Sequence, residues 1–200
     1  MAIRAPAPAR LADTGPVLDS AFAATLAKAQ GGDQAAFAVI FRDVQPVLLR
    51  YLGVIVPEAA DDVAGETWLN VVAGLPKFRG DERGFRAWLF TIARHRATDW
   101  GRSRARSYPA TIAESAAPDR LTAPDTADVV LERMSTHAVL AAVASLPRDQ
   151  AEIILLRVVI GLDTRDVAQL VAKTPGAVRV AAHRGLRRLA GLASRTDVTV

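Results

Sequence analysis

The sequence contains no cysteine. This absence excludes disulfides, thiolate metal sites, cysteine nucleophiles and thiol-based redox sensing by the chain itself. Long apolar runs are also missing, because none approaches the roughly 18 to 20 residues that a membrane-spanning helix needs. The N-terminal stretch MAIRAPAPARLADTGP lacks the apolar segment of a secretory signal. We therefore expect a soluble, cytoplasmic protein without membrane insertion.

Strand patterns are nearly absent, whereas apolar residues recur at helical spacing throughout the chain. Asp33 follows two glycines and is predicted to cap a helix. A second helix is predicted over Ala59–Leu75, and a third from about Phe85. The sequence therefore predicts an all-α fold.

The helical pattern fails between Ser103 and Asp128, where three prolines interrupt a polar segment. It resumes at Val129. We therefore expect two small helical domains, over 20–102 and 129–195, joined by a flexible linker over 103–128. An arm over 1–19 and a tail over 196–200 complete this division.

Charge is unevenly distributed along the chain. From Ser20 to Pro76 there are three basic residues against six acids, and from Lys77 to Arg106 nine against three. From Thr174 to Arg195 there are five arginines and no acid. This pattern indicates two contacts with a polyanion and a third contact with a different partner. Ordinary solvated helix faces are the alternative.

The second domain carries a helix-turn-helix pattern. Gly161 is predicted to end one helix, Asp163 or Thr164 to cap a short helix through Val171, and Pro175 to start a long basic helix. If the long helix packs through Val178, Ala182, Leu186 and Leu189, its other face presents Ala177, Arg179, Val180, His183, Arg184 and Arg187. Arginine can bind guanine edges or phosphates, and Val180 can contact a thymine methyl. A basic helix end that complements the helix dipole is the alternative.

The stretch FRAWLFTIARHRATDWGRSRAR combines aromatic residues with six arginines. One face of this predicted helix is apolar and is expected to pack in the core: Phe85, Trp88, Leu89, Ile92 and Ala93. Arg86, Phe90 and Arg94 follow one another at a spacing of four and are predicted to form an exposed stripe. Exposed aromatics between cations suit a separated DNA strand, because bases stack and phosphates pair with arginine.

Two longer runs resemble a known family. The run EAADDVAGETWLNVVAGLPKFRGDERGFRAWLFTIARHRATDWGRSRAR resembles the second conserved region of bacterial RNA polymerase sigma factors. The run LAAVASLPRDQAEIILLRVVIGLDTRDVAQLVAKTPGAVRVAAHRGLRRL is similar to their fourth. With these two regions and a short linker, the chain resembles a group IV, or extracytoplasmic-function (ECF), sigma factor.

The resemblance implies a dissociable subunit that binds core RNA polymerase, on its β and β′ subunits, and promoter DNA, without catalysis or cofactor. An anti-sigma partner is also expected. The residues implied to contact the β′ clamp helices are Asp61, Asp62, Glu66, Trp68 and Asn70. Those implied to melt and capture the −10 element are Phe78, Arg86, Trp88, Phe90, Ile92, Arg94, His95 and Arg96. The exposed face of the last helix would read the −35 element as duplex.

Within the −10 set, Phe78, Trp88, Ile92 and His95 would surround a base flipped from the non-template strand. Three positions depart from the family pattern. Gly65 stands where many relatives have glutamine, His95 where many have asparagine, and Ala182 where a larger aliphatic residue is usual.

Two other classes of protein fit parts of the sequence. A free-standing helix-turn-helix regulator would need a sensor domain, and a sensor domain does not need a basic aromatic segment. A metal nuclease would have to use the acid cluster Asp61, Asp62 and Glu66, which has no histidine or lysine beside it. The same acids suit a docking surface better.

Overall fold

The computed structural model describes residues 19–107 and 138–196. These two stretches contain helices and turns but no strand, which confirms the all-α prediction. The helices in chain order are α1 (Asp19–Gln30), α2 (Gln34–Ile55), α3 (Ala60–Gly74), α4 (Glu82–Ser107), α5 (138–144), α6 (Arg148–Ile154), α7 (Thr164–Leu170) and α8 (Pro175–Thr196).

The first unit is built around α2. Asp33 caps this helix as predicted, because its Oδ1 accepts a hydrogen bond of 3.0 Å from the amide of Ala36. One apolar stripe of α2 is buried against α1, α3 and α4, and it includes Ile40, Val44 and Leu48. Helix α1 was not anticipated, because the stretch before the capped helix has no strong helical periodicity.

Helix α3 lies between two 3₁₀ turns, Pro57–Ala59 and Leu75–Lys77. Helix α4 begins at Glu82, three residues earlier than predicted, because Asp81 Oδ1 accepts a 2.6 Å hydrogen bond from the amide of Gly84. It continues to Ser107, so residues 103–107, which we assigned to the linker, are helical. The remaining linker residues, the arm to residue 18, the start of the second domain over 129–137 and the tail after Thr196 lie outside the described residues.

The second unit contains α5 to α8. A π-helical turn over Leu155–Val159 extends α6, and Gly161 ends it with a φ of +79°, as predicted. Asp163 caps α7 by accepting hydrogen bonds from the amides of Arg165 and Asp166. Four residues separate α7 from α8, and Thr174 Oγ1 accepts a 3.2 Å bond from the Ala177 amide at the start of α8. The predicted helix-turn-helix is therefore present.

Candidate nucleic-acid interface

Helix α8 presents a continuous basic surface. All six residues predicted to face DNA are exposed: Ala177, Arg179, Val180, His183, Arg184 and Arg187. Val180 is 50% exposed. The surface therefore offers hydrogen-bond donors beside one apolar group, the combination that reads base edges in a major groove.

The packing face of α8 differs from the prediction at one position. Val178 is fully buried, and Ala182 and Leu189 pack against the core, but Leu186 is 48% exposed. Gly185 takes its place: a Cβ atom there would lie 2.5 Å from Ile154 Cδ1. Leu186 lies about 80° round the helix from Val178, so it falls outside the face that packs through Val178 and Gly185.

A small aromatic cluster lies where the chain enters α4. The Phe78 ring stacks on the Trp88 indole, with 5.0 Å between centroids and 26° between planes, and meets Phe85 edge-on. Gln30 of α1 fixes the backbone beneath it, because its Nε2 donates hydrogen bonds to the carbonyls of Leu75 at 3.0 Å and Phe78 at 2.8 Å. Sequence reasoning missed Gln30, since no motif links it to a turn 45 residues away.

The residues proposed to surround a flipped base lie on one side of α4, and their side chains differ in how far they are exposed to solvent. His95 is exposed, Trp88 and Ile92 are half-buried, and Phe78 is buried behind Trp88. Arg96 is half-buried, and its Nε atom is buried without a hydrogen-bond partner among the described residues. A buried donor without an acceptor costs free energy.

The expectation that Phe90 is exposed was wrong. Its side chain is fully buried and meets the Tyr51 ring of α2 edge-on, at 5.4 Å between centroids. Helix α4 is covered on two sides, by α3 and by α2, so its buried stripe is wider than one amphipathic face. Phe90 lies in that second buried side and cannot stack on a base.

The two arginines of the predicted stripe are already paired. Arg86 Nη2 lies 2.7 Å from Asp43 Oδ2 of α2 and 3.1 Å from Glu82 Oε1. Arg94 Nε lies 2.8 Å from Glu152 Oε1, which belongs to α6 in the second unit. The stripe formed by Arg86, Phe90 and Arg94 therefore faces α2 and α6, not solvent.

Helix α3 presents the predicted acidic surface with one correction. Asp61, Asp62 and Glu66 are exposed, and Asn70 is partly exposed with its side-chain amide bonded to the Glu66 carbonyl. Trp68, in contrast, is only 6% exposed. Its Nε1 donates a 2.6 Å hydrogen bond to Gln45, and its ring packs on two phenylalanines of α2. The indole therefore completes the core, and the predicted contact of Trp68 with core polymerase stays a prediction.

Two exposed aliphatic side chains lie on the same helix and were missed. Leu69 is 73% exposed and Val72 is 51% exposed. Both lie on the exposed side of α3, beside the acids. We call the following residues the acidic-apolar surface of α3: Asp61, Asp62, Glu66, Leu69 and Val72. A mixture of carboxylates and aliphatic side chains is more typical of a protein–protein contact than of a surface that binds through charge alone. The hydropathy pattern of α3 could have indicated these residues, since they fall outside its buried stripe.

Three groups at the contact between the units have shifted pKa values. Burial and the neighbouring Asp163 carboxylate raise the pKa of Asp166, although Arg83 acts in the opposite direction. Burial would also raise the pKa of Asp163, but the amide hydrogen bonds from α7 and the charge of Arg83 outweigh it and lower that pKa. Burial, together with the Glu152 carboxylate, raises the pKa of Tyr51 well above its ordinary value.

Two general features complete the description of these surfaces. Across residues 19–107 and 138–196, no three histidine or acidic side chains converge to form a group able to hold a metal ion. Within the same residues, no helix combines the length and the apolar character needed to cross a membrane.

Comparison with known proteins places both units in one family. Residues 40–107 match the family described as Sigma-70 region 2, and residues 136–189 match Sigma-70, region 4. The ECF RNA polymerase sigma factor SigD of Mycobacterium tuberculosis is 37% identical over 175 residues, covering 83% of this chain and 81% of that protein. The ECF RNA polymerase sigma factor ShbA of Streptomyces griseus is 35% identical over 180 residues, covering 84% and 93%.

Solved structures show the same fold at lower identity. RpoE of Bartonella quintana, crystallised with the anti-sigma factor NepR, superposes with a TM-score of 0.61 at 23% identity, covering 79% of this chain and 96% of that one. CnrH, in complex with the cytosolic domain of CnrY, gives 0.56 at 22% identity, covering 86% and 96%.

The two matched regions define a sigma factor of the sigma-70 type. More closely, the chain belongs to the ECF subfamily of RNA polymerase sigma factors. It is thus a dissociable subunit that binds core RNA polymerase and directs promoter-specific initiation of transcription, as the resemblance implied.

Proposed function

We propose that three separate surfaces divide the work of this sigma factor. The acidic-apolar surface of α3 binds core polymerase, the part of α4 from Trp88 to Arg96 captures the −10 element, and α8 reads the −35 element. The first two belong to a domain over 20–102, and the third to a domain over 129–195. The complete exposure of the predicted reading face of α8 is the observation that carries the proposal.

The α3 surface supports the polymerase contact through its composition. Its three exposed carboxylates suit a basic helix such as the resemblance implies for the β′ clamp, and they steer association over long range. Leu69 and Val72 provide the apolar area that a lasting contact needs. Trp68 contributes to this surface indirectly, because its buried indole packs against α2 and holds α3 in place.

Of the residues predicted to bind the −10 element, we assign to the −10 surface those that solvent reaches. His95, Ile92 and Trp88 line it, with Phe78 behind Trp88 as a support and with the half-buried Arg96 next to His95 in the helix. An unstacked base can lie against the indole, and stacking of this kind offsets the cost of a few kcal/mol for flipping the base. Imidazole both donates and accepts hydrogen bonds, so His95 helps to set which base is preferred.

The −35 surface is the exposed face of α8. Its first two turns contain Arg179 and Val180, which suit the base edges because the N-terminal part of a recognition helix enters the groove deepest. Arg187 lies further from that end and suits a phosphate. This division into base contacts and phosphate contacts is the source of promoter specificity in the second domain.

The chain acts in the cytoplasm, where promoter DNA is, and has no catalytic activity of its own. We propose that an anti-sigma factor restrains it, as the ECF resemblance implies. The two structural neighbours CnrH and RpoE were both determined with a partner, and NepR is named as an anti-sigma factor. The exposed surfaces of α3 and α8 are the sites that such a partner would cover.

Run-off transcription with core polymerase tests the whole assignment. The purified chain should bind core polymerase and start transcripts at promoters upstream of genes that its overexpression induces. For the α3 surface, the double variant Asp62→Asn/Glu66→Gln should bind core polymerase more weakly. The variant Asp43→Asn/Asp149→Asn makes the same change of charge elsewhere and should bind normally. Equal binding by both variants would remove the assignment of α3.

A further inference from the structure

The last residue of α1 is hydrogen-bonded to the connection between α3 and α4. This connection runs over residues 75–81, and we call it the α3–α4 turn. Gln30 Nε2 donates to the carbonyl oxygens of Leu75 at 3.0 Å and Phe78 at 2.8 Å. The two bonds use both hydrogens of the side-chain amide. A single side chain therefore joins α1 to the α3–α4 turn at two points.

The backbone that carries Gln30 is held in place by the way α1 ends. The amide of Asp33 donates to the carbonyl of Lys28 at 3.1 Å, and the amide of Gly32 donates to the carbonyl of Ala29 at 3.1 Å. Gly32 has a φ of +93°. This combination is a Schellman motif, which satisfies the last carbonyls of a helix. Because Asp33 also caps α2, the end of α1 is held against the start of the helix that carries most of the core.

Phe78, whose carbonyl Gln30 holds, is also the residue that supports Trp88. Its ring stacks on the Trp88 indole at 5.0 Å between centroids. A Cβ atom at Gly80 would lie 2.8 Å from Phe78 Cζ, so the ring is closely surrounded. Arg79 Nη1 donates to the same carbonyl at 2.7 Å, but Arg79 belongs to the α3–α4 turn and cannot fix the turn relative to another helix. Gln30 provides that link.

Helix α1 supports the same aromatic cluster at a second point. The ring of Phe22 lies 5.7 Å from that of the fully buried Phe85. Phe85 in turn contacts Phe78 at 5.6 Å and Trp88 at 5.9 Å between centroids. The residues that match Sigma-70 region 2 begin at residue 40, so both contacts come from a helix that precedes the matched region.

The side-chain amide of glutamine suits this contact. It is neutral and carries two donors on one nitrogen, which is what two neighbouring carbonyl oxygens require. Both bonds are partly buried, and a carbonyl that loses its partner away from water costs free energy. Gln30→Glu keeps the length and shape of the side chain but replaces both donors with a carboxylate, which repels the carbonyl oxygens. The turn should then move away from α1.

We propose that α1 sets the position of the −10 surface and that Gln30 is a positioning residue for promoter selection. Gln30 acts through the Phe78 carbonyl, the Phe78 ring and the Trp88 indole, and not through a contact of its own with DNA. The proposal rests on the proposed function for the location of the −10 surface. Its consequence is that a change at Gln30 alters which −10 sequences are opened, while binding to core polymerase and to the −35 element stays the same.

The first test measures amide hydrogen exchange in the free full-length chain, so it does not depend on DNA. In Gln30→Glu, the amides of the α3–α4 turn should exchange several-fold faster, including that of Phe78, which donates to the Leu75 carbonyl at 3.1 Å. Gln34→Glu is the matched control, because it makes the same change at an exposed residue in the first turn of α2. Equal exchange in Gln30→Glu and in the unchanged chain would overturn the proposal.

The second test measures promoter opening with core polymerase on promoters that carry each of the four bases at every −10 position. Gln30→Glu should slow opening roughly three- to tenfold, the range expected for one lost hydrogen bond, and should change the order in which the bases are preferred. Circular dichroism establishes that each variant is folded. If Gln30→Glu does not fold, Gln30→Ala, which removes the donors without adding charge, decides the outcome. Slowing by one factor on every promoter, together with weaker binding to core polymerase, would show a merely structural role and would overturn the proposal.

His95→Ala, measured on the same promoters, separates this proposal from the proposed function. Altered base preference in both Gln30→Glu and His95→Ala would support both. Altered preference in His95→Ala alone would overturn the role of Gln30 and leave the −10 assignment intact. Unaltered preference in both variants would refute the −10 assignment and, with it, the positioning role that rests on it.

Discussion

The indole of Trp88 lies directly against Gly74 of the preceding helix. A Cβ atom at Gly74 would lie 2.6 Å from Trp88 Cζ2, which is closer than real side-chain contacts allow. The glycine therefore permits α3 and α4 to approach closely enough for Trp88 to stack on Phe78. The proposed base-binding surface therefore depends on a glycine that is not itself part of that surface.

Gly74→Ala should consequently displace the indole. We expect a loss of about 1 to 3 kcal/mol in the free energy of unfolding, as for other overpacked sites, and weaker opening of promoter DNA. Gly65→Ala is the matched control, because Gly65 lies inside α3 with nothing within 4 Å of its Cβ position. It should stabilise the chain by about 0.5 to 1 kcal/mol. Chemical denaturation measures the free energy of unfolding of both variants. Equal destabilisation by Gly74→Ala and Gly65→Ala would contradict the packing argument.

His95→Ala should change how the promoter melts. His95 is exposed on α4 beside Trp88 and Ile92, so its loss should reduce open-complex formation or alter the base preferred in the −10 element. His183→Ala makes the same change on α8 and should affect −35 binding instead. Permanganate footprinting on a panel of −10 variants distinguishes them. A bubble that is unchanged across the panel would show that His95 does not touch the flipped base.

The arginines of α8 should separate into two classes. Loss of Arg179 or Arg184 should cost about 1 to 3 kcal/mol and relax preference at one base pair, if the side chain binds a guanine edge. Arg187→Ala should weaken binding on every sequence and flatten the salt dependence, as a phosphate contact does.

Arg188 should matter least, because its Nη1 is directed towards α6 and donates a 2.9 Å hydrogen bond to Gln150. Polymerase-bound chain, assayed on a library of −35 duplexes at two salt concentrations, provides the measurement. Equal and sequence-independent losses for all four alanine variants would show that α8 attracts DNA only through its charge.

Tyr51 should make the folded chain sensitive to alkaline pH. Its pKa is raised well above the ordinary value of 10.0 by burial and by Glu152, so the folded state holds the phenolic proton more tightly than the unfolded state. Stability from this group is present below pH 10 and is lost as pH rises above it. Tyr51→Phe should reduce the loss of stability above pH 10, as measured by denaturation at several pH values. An unchanged pH dependence would show that the phenol is solvated.

Sequence patterns predicted most of the local structure correctly. Asp33 and Thr174-Pro175 mark helix starts, and Gly161 marks a helix end, since each depends on hydrogen bonds or backbone angles within a few residues. The exposed face of α8 was also predicted, because one side of that helix alone is apolar.

Longer-range contacts account for the errors. Phe90 and Trp68 were expected at surfaces and are buried, because α4 and α3 each pack on α2 as well as on each other. Helical periodicity identifies one apolar face, but it does not reveal a second neighbour that covers another face. Leu186 is exposed for a different reason, because Gly185 and not Leu186 lies at the close contact between α8 and α6.

By itself, the sequence determined the helices, the order of the two units, the helix-turn-helix and the family, because spacing, capping and charge are local properties of the chain. Only the tertiary structure decided which acids pair with the arginines of α4. Arg83 and Arg94 meet acids 58 to 83 residues away, and no local pattern encodes such a pairing. It depends on the way two separately folded units bring their surfaces together.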